Sequence, residues 1–112
     1  MKHSFTILLL SVVTLLASCT RGAKLNVVND SSVELTNVLV SGTGFSEDIG
    51  SIQPRNLHTL YVKPTSESAL KVEFDANGKH FISEPQGYLE GSSIYKVDAI
   101  VAPDFTVTVE TN

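Results

Sequence analysis

The sequence contains a single cysteine, Cys19, in 112 residues. No intrachain disulfide can therefore form, and the fold must be held by an apolar core. Positive charge is also scarce, with 8 Lys and Arg against 12 Asp and Glu and a formal net charge of −4. That balance excludes a nucleic-acid binder, which needs a clustered basic face to displace counterions from phosphates. The sequence lacks zinc-type His/Cys spacing, a glycine-rich phosphate loop and a nucleophile-elbow pattern, so neither a metal nor a cofactor is expected. A segment of roughly 20 apolar residues, the length that spans a bilayer as a helix, is missing too. After the first twenty residues no segment carries an apolar stripe of helical period, which excludes a helical bundle.

What is present begins with the run ILLLSVVTLLASCT. The apolar part extends only from Phe5 to Leu16, follows Lys2 and His3, and ends in small residues. This is the layout of an N-terminal export signal, a short helix excluded from the mature fold. Residues Leu16-Ala17-Ser18-Cys19 resemble the lipobox of bacterial lipoprotein precursors. That resemblance implies cleavage between Ser18 and Cys19, a diacylglycerol thioether on Cys19, and acylation of the new amino group. The alternative is an ordinary signal peptide cut nearby. In that family an Asp after the cysteine retains the protein in the inner membrane. Thr20 stands there instead, so in an organism with two membranes the resemblance favours the outer one, on its periplasmic or surface face.

The expected organisation is a signal peptide over 1–18, a lipidated stem over 19–23 and one β domain over 24–112. Removing residues 1–18 leaves 94, enough for one domain that buries roughly 60 per cent of its unfolded surface. The mature chain carries 7 basic and 12 acidic residues, a formal charge of −5, because only Lys2 is lost. Few residues separate Cys19 from the first strand-like run at Lys24. At about 3.3–3.6 Å per residue the domain stands off the bilayer by no more than roughly 20 Å. Arg21 and Lys24 in that stem either meet lipid phosphates or remain solvated.

The remainder reads as strands. The runs beginning at Leu25, Val33, Leu57, Ala69, Lys79, Tyr95 and Phe105 are rich in β-branched and aromatic residues and are separated by turn formers. An all-β, small antiparallel sandwich of about seven strands, immunoglobulin-like or transthyretin-like, is expected. Alternation places Leu70, Val72 and Phe74 on a core face, likewise Val97, Ala99 and Val101 with Tyr95, and Phe105, Val107 and Val109. Alternation lapses at Thr36-Asn37, where a bulge is expected. Asn77-Gly78 predicts a type I′ hairpin, which sets Phe74 opposite Phe81 and Asp75 opposite His80. The Asp75–His80 pair reads as a surface charge pair rather than a catalytic dyad.

Two stretches of turn-forming composition, Ser41 to Asn56 and Ser83 to Ser93, are expected to be loops at the sandwich ends. Phe45, Glu47 and Asp48 in the first and Tyr88 and Leu89 in the second are the candidate binding residues. The alternative for Phe45 and Tyr88 is that they turn inward and plug the ends. The leading functional expectation is a non-catalytic envelope lipoprotein that presents its sandwich to a protein partner near the bilayer. A ligand-binding or inhibitor module acting on a glycan or a foreign hydrolase is the second. An enzyme is not expected, because no chemical constellation emerges around His58 or His80.

Overall fold

The computed structural model describes residues 22–89 and 96–111. The lipobox, Arg21, Tyr95 and the end of the second turn-rich stretch lie outside them. Nine strands are described: β1 Ala23–Asn29, β2 Leu35–Gly42, β3 Phe45–Ile52, β4 Leu57–Val62, β5 Ser68–Ala76, β6 Lys79–Ile82, β7 Gln86–Leu89, β8 Lys96–Val101 and β9 Val107–Thr111. They form two sheets. One has the order β4-β1-β8-β9; the other has the order β3-β2-β5-β6, with β7 also pairing to β5.

The period-2 pattern of the sequence produces this packing directly. In β1 and β5 every second residue is buried, so Leu25 and Val27 from one sheet meet Leu70, Val72 and Phe74 from the other. Val38 and Val40 of β2 and Val97, Ala99 and Val101 of β8 complete the centre, all fully buried. Burying a Val, Leu or Phe side chain stabilises by about 1.5–3 kcal/mol, and with a single cysteine in the chain this is the dominant source of cohesion.

Three local expectations hold. Asn77 and Gly78 have φ of 52° and 75°, the positive pair of a type I′ turn, and the strands pair Phe74 with Phe81 and Asp75 with His80. The register of β2 shifts against both neighbours around Asn37, whose φ is 50°.

Two expectations are corrected. Among the described residues the strands number nine rather than about seven, because both supposed loops contain strands. Residues 45–52 pair with β2, and residues 86–89 pair with β5. Their glycines mislead: Gly44 (φ 83°) makes the tight β2–β3 turn, Gly50 (φ 91°) sits at a register shift, and Gly87 (φ 76°) lies within β7. Partner strands supply a ladder that intrinsic propensity alone would not predict. The sandwich is also not wholly antiparallel, because β1 and β8 run side by side in the same direction. The chain makes the whole second sheet between them, which provides the long crossover that a parallel pair requires.

β1 and β8 start at the same end of the molecule, where β4 and β9 finish. We call this the entry end. The opposite, far end holds the β1–β2 connection, the Asn77-Gly78 turn and the β8–β9 turn. Asn29 is the polar tie there, fully buried at the end of β1. Its Nδ2 donates to the carbonyls of Val33 (2.8 Å), Ile52 (3.0 Å) and Gln53 (3.2 Å). Its Oδ1 accepts from the backbone N–H and hydroxyl of Ser31. Among the described residues no buried side-chain nitrogen or oxygen lacks a partner.

Candidate functional site

The type I′ turn that places Phe81 against Phe74 also builds the most distinctive surface of the molecule. The two rings stack at 5.2 Å with an interplanar angle of 14°. Phe105 from the opposite sheet's β8–β9 turn closes on them, 5.0 Å from Phe81 and 6.3 Å from Phe74. Such centroid separations and tilts lie in the favourable range for aromatic pairs.

Phe105 is brought there by an unusual backbone. Its φ is +69°, a conformation that costs a bulky residue steric energy and persists only where neighbours enforce it. The enforcement is local. Phe105 N donates to Ala102 O (2.8 Å) and Ala102 N to Thr106 O (2.9 Å). Asp104 Oδ1 accepts from both the hydroxyl and the backbone N–H of Thr106, and these bonds, the hydroxyl's first, hold the Asp104 carboxyl below its ordinary value. Phe105 therefore belongs to a turn; the strand begins at Val107.

Phe81 and Phe105, with fully buried Phe74 beneath them, floor a groove of about 320 Å³ between the edge of β6 and β7 on one side and β9 on the other. Val107 continues the apolar floor, and Glu84, Gln86 and Thr106 line it with polar groups. Ile82, also on the lining, is 58% exposed. Toward the entry end the groove is closed by β7: Gln86 Nε2 donates to Val107 O at 2.7 Å, and Gly87 lies so close to Val109 that an added Cβ would sit 2.6 Å from it. Both β6 and β9 are terminal strands of their sheets, so each has an outer edge able to pair with another extended chain.

The residues expected to bind do not converge. Phe45, Glu47 and Asp48 lie on β3, and Tyr88 and Leu89 lie on β7, which flanks β5 on the side away from β2 and β3. Phe45 is partly buried and packs on the core, consistent with its inward alternative. Glu47 and Asp48 are exposed and opposite Val40 and Leu39. Adjacent strand residues point to opposite faces, so this is not an acid/base pair. Tyr88 is 45% exposed and its hydroxyl donates to Glu67 at 3.1 Å. Leu89 is a core residue, 1% exposed, and is corrected from a surface role to a packing one.

A polar hollow of about 490 Å³ lies on the outer face beside the turn, lined among others by Glu34, Asp75, Lys79 and His80. His80 Nδ1 lies 2.6 Å from Asp75 Oδ1 and its Nε2 3.3 Å from Glu73 Oε1. Asn37 Nδ2 donates to the other Asp75 oxygen at 2.8 Å, an aim that the bulge at Asn37 provides. Hydrogen bonding to Asp75 first, opposed by slight desolvation and reinforced by Glu73, raises the His80 pKa. Hydrogen bonds from Asn37 and then His80 lower that of Asp75. Both imidazole nitrogens face carboxylates, so the protonated ring can donate to both. His58 lies on β4 in the other sheet. No group of three or more His, Cys, Asp or Glu able to hold a metal occurs among the described residues.

The groove was partly visible in the sequence. Phe81-Ile82 are adjacent apolar residues on a strand, so one of them has to face outward, and Pro103-Asp104 before Phe105 is a turn signal. What the sequence does not contain is the approach of Phe81 on β6 to Phe105 in the β8–β9 turn across the two sheets.

No protein-family model and no curated protein sequence matches the chain. Among solved structures it is similar to an NMR structure of a protein from Eubacterium rectale, with a TM-score of 0.59 and 12% identity over 81% of this chain and 88% of that one. At that identity the likeness establishes the all-β fold alone.

Proposed function

We propose that the protein is a non-catalytic envelope lipoprotein, anchored through acylated Cys19, whose sandwich binds a protein partner close to the bilayer. The observation that carries the binding half is the aromatic-floored groove with Ile82 58% exposed at its side. A soluble domain gains nothing in stability from leaving a large aliphatic side chain in water beside an apolar hollow, whereas an interface gains an anchor. The occupant is an extended segment of the partner. Its apolar side chains fill the groove, and its backbone pairs with a terminal strand. The anchoring half is supported by the lipobox-like Leu16-Ala17-Ser18-Cys19 and the short apolar run before it. If the cell has two membranes, the absence of Asp at position 20, where Thr20 stands, favours the outer one.

Site-specific photo-cross-linking in intact cells tests the binding half. A photoreactive residue at position 82 should yield one defined envelope-protein adduct, and the same residue at exposed Leu57 should not. Ile82→Glu should reduce co-purification of that protein by about tenfold, the value of 1.4 kcal/mol at an interface, while leaving the thermal midpoint unchanged. An adduct pattern independent of position, or none at 82, would contradict the reading. A thermal shift on addition of one class of soluble glycan, with no protein adduct, would favour the ligand module instead.

A further inference from the structure

The parallel pairing of β1 with β8 gathers cations that the sequence scatters. Lys24 at the start of β1 is level with Lys96 at the start of β8, and across the other side of β1 it is level with Tyr61 near the end of β4. Lys63 follows immediately and is exposed. Three of the seven basic residues of the mature chain thus share the entry end, on or beside the outer face of the four-stranded sheet. The ion pairs among the described residues join Arg55 to Asp30 and His80 to Glu73 and Asp75, and none includes a lysine. Glu67, which accepts from Tyr88, is also at this end, and Glu110 lies one row further on, opposite Asp98.

The next rows of the same face change character. Thr59, Asn26 and Asp98 form a hydrogen-bonded polar row, with Thr59 Oγ1 donating to Asn26 Oδ1 and Asn26 Nδ2 to Asp98 Oδ1. Leu57, Val28 and Ile100 form the row nearest the far end. At the far end itself stand Asp30, Glu34, Asp75 and Asp104, with Arg55, Lys79 and His80. The outermost row where the chain enters is therefore basic, whereas the next row, with Asp98 and Glu110, carries negative charge and the far end is predominantly acidic.

The entry point is also tighter than the sequence implies. Gly22 and Ala23 are already buried, and a Cβ on Gly22 would collide with the Val62 carbonyl oxygen. With cleavage before Cys19, as proposed, only residues 19–21 precede the buried part of the chain, a reach of at most about 10 Å. A charge cluster held that close to a bilayer lies within about one Debye length, roughly 8–10 Å, of the headgroups.

We propose that the entry end, with Lys24, Lys63, Lys96 and Tyr61, rests on anionic lipid headgroups and so fixes the orientation of the domain. Lysines attract the surface potential of anionic lipid, and tyrosine suits the headgroup level, where one end of its ring is apolar and the other wet. The groove then faces away from the lipid, about 15–20 Å up the sheet at the rise of a β-strand. The inference rests on the anchoring half of the proposed function, which supplies the tether.

The chain contains no tryptophan, so single tryptophans report position without interference. Tyr61→Trp and Leu57→Trp lie four residues apart on one strand and are both exposed sites. The full-length processed protein carrying either is reconstituted into vesicles of phosphatidylcholine and phosphatidylglycerol with brominated acyl chains. Acylation is verified by intact mass in the same sample. Quenching should be about twofold or more stronger at 61 than at 57, given their separation of roughly 13 Å. That difference should disappear in pure phosphatidylcholine, and also when Lys24, Lys63 and Lys96 are all changed to Gln. Acylated protein quenched equally at both positions, or unaffected by lipid charge, overturns the orientation alone. A mass without acyl chains overturns the anchor and the orientation together.

Discussion

Asn29 shows how much a single polar side chain carries in a sandwich without disulfides. Five hydrogen bonds converge on its amide at the far end, joining the close of β1 to the β1–β2 connection and to the end of β3. Asn29→Ala would leave buried carbonyls unsatisfied, and urea unfolding should show a loss of about 2–3 kcal/mol with the m-value unchanged. His80 is the contrasting case, because its partners are at the surface. Its pKa is raised by Asp75 first and then Glu73, so an NMR titration of its ring should give a midpoint above the ordinary value of 6.5. Asp75→Asn should move that midpoint back down. The sign for stability follows. The His80 contribution is complete below about pH 6.5 and is lost as pH rises through the raised folded-state value. The Asp75 contribution is present above its ordinary value of 3.8 and is lost as pH falls through its lowered one. Both side chains are solvent-accessible, so the effect on global stability is small and the chemical shift is the better measure.

Strands and turns separate what the sequence encodes locally from what the fold imposes. The β5–β6 hairpin is encoded locally: Asn77 and Gly78 carry the positive φ values that a type I′ turn requires, and strict alternation fixes Phe74 and its neighbours to the core side. Gly78→Ala meets no neighbouring atom within 4 Å, so its cost is conformational alone. About 1–2 kcal/mol is expected from the left-handed backbone and is read as a shifted denaturation midpoint, while Asn77→Gly should be tolerated. β3 is imposed: Ser46-Glu47-Asp48 and Gly50 have the composition of a loop, and they become a strand because β2 presents an unpaired edge. β7 likewise forms on the edge of β5 that short β6 leaves open. The all-β class, the core faces, the bulge at Asn37 and the hairpin were therefore legible in order of how local their causes are. The groove was legible only in its separate parts, since it needs Phe81 from one sheet and Phe105 from the other at 5.0 Å, a tertiary coincidence.

For the whole molecule, the two ends have different surfaces and the chain enters at the basic one. Lys24, Lys63 and Lys96 come together only because β1 and β8 are parallel, so the polarity is a property of topology rather than of composition, which shows only a net charge of −4. A groove on the far half and the proposed tether at the near end would together present one binding face at a fixed height above lipid. All of this depends on the covalent attachment proposed at Cys19. Intact-mass spectrometry of the protein purified from native membranes tests it most directly. The account predicts a chain that begins at Cys19 and carries the added mass of a thioether-linked diacylglycerol with a further acyl chain on its amino group. A free Cys19 thiol, or a terminus at any other residue, would contradict it.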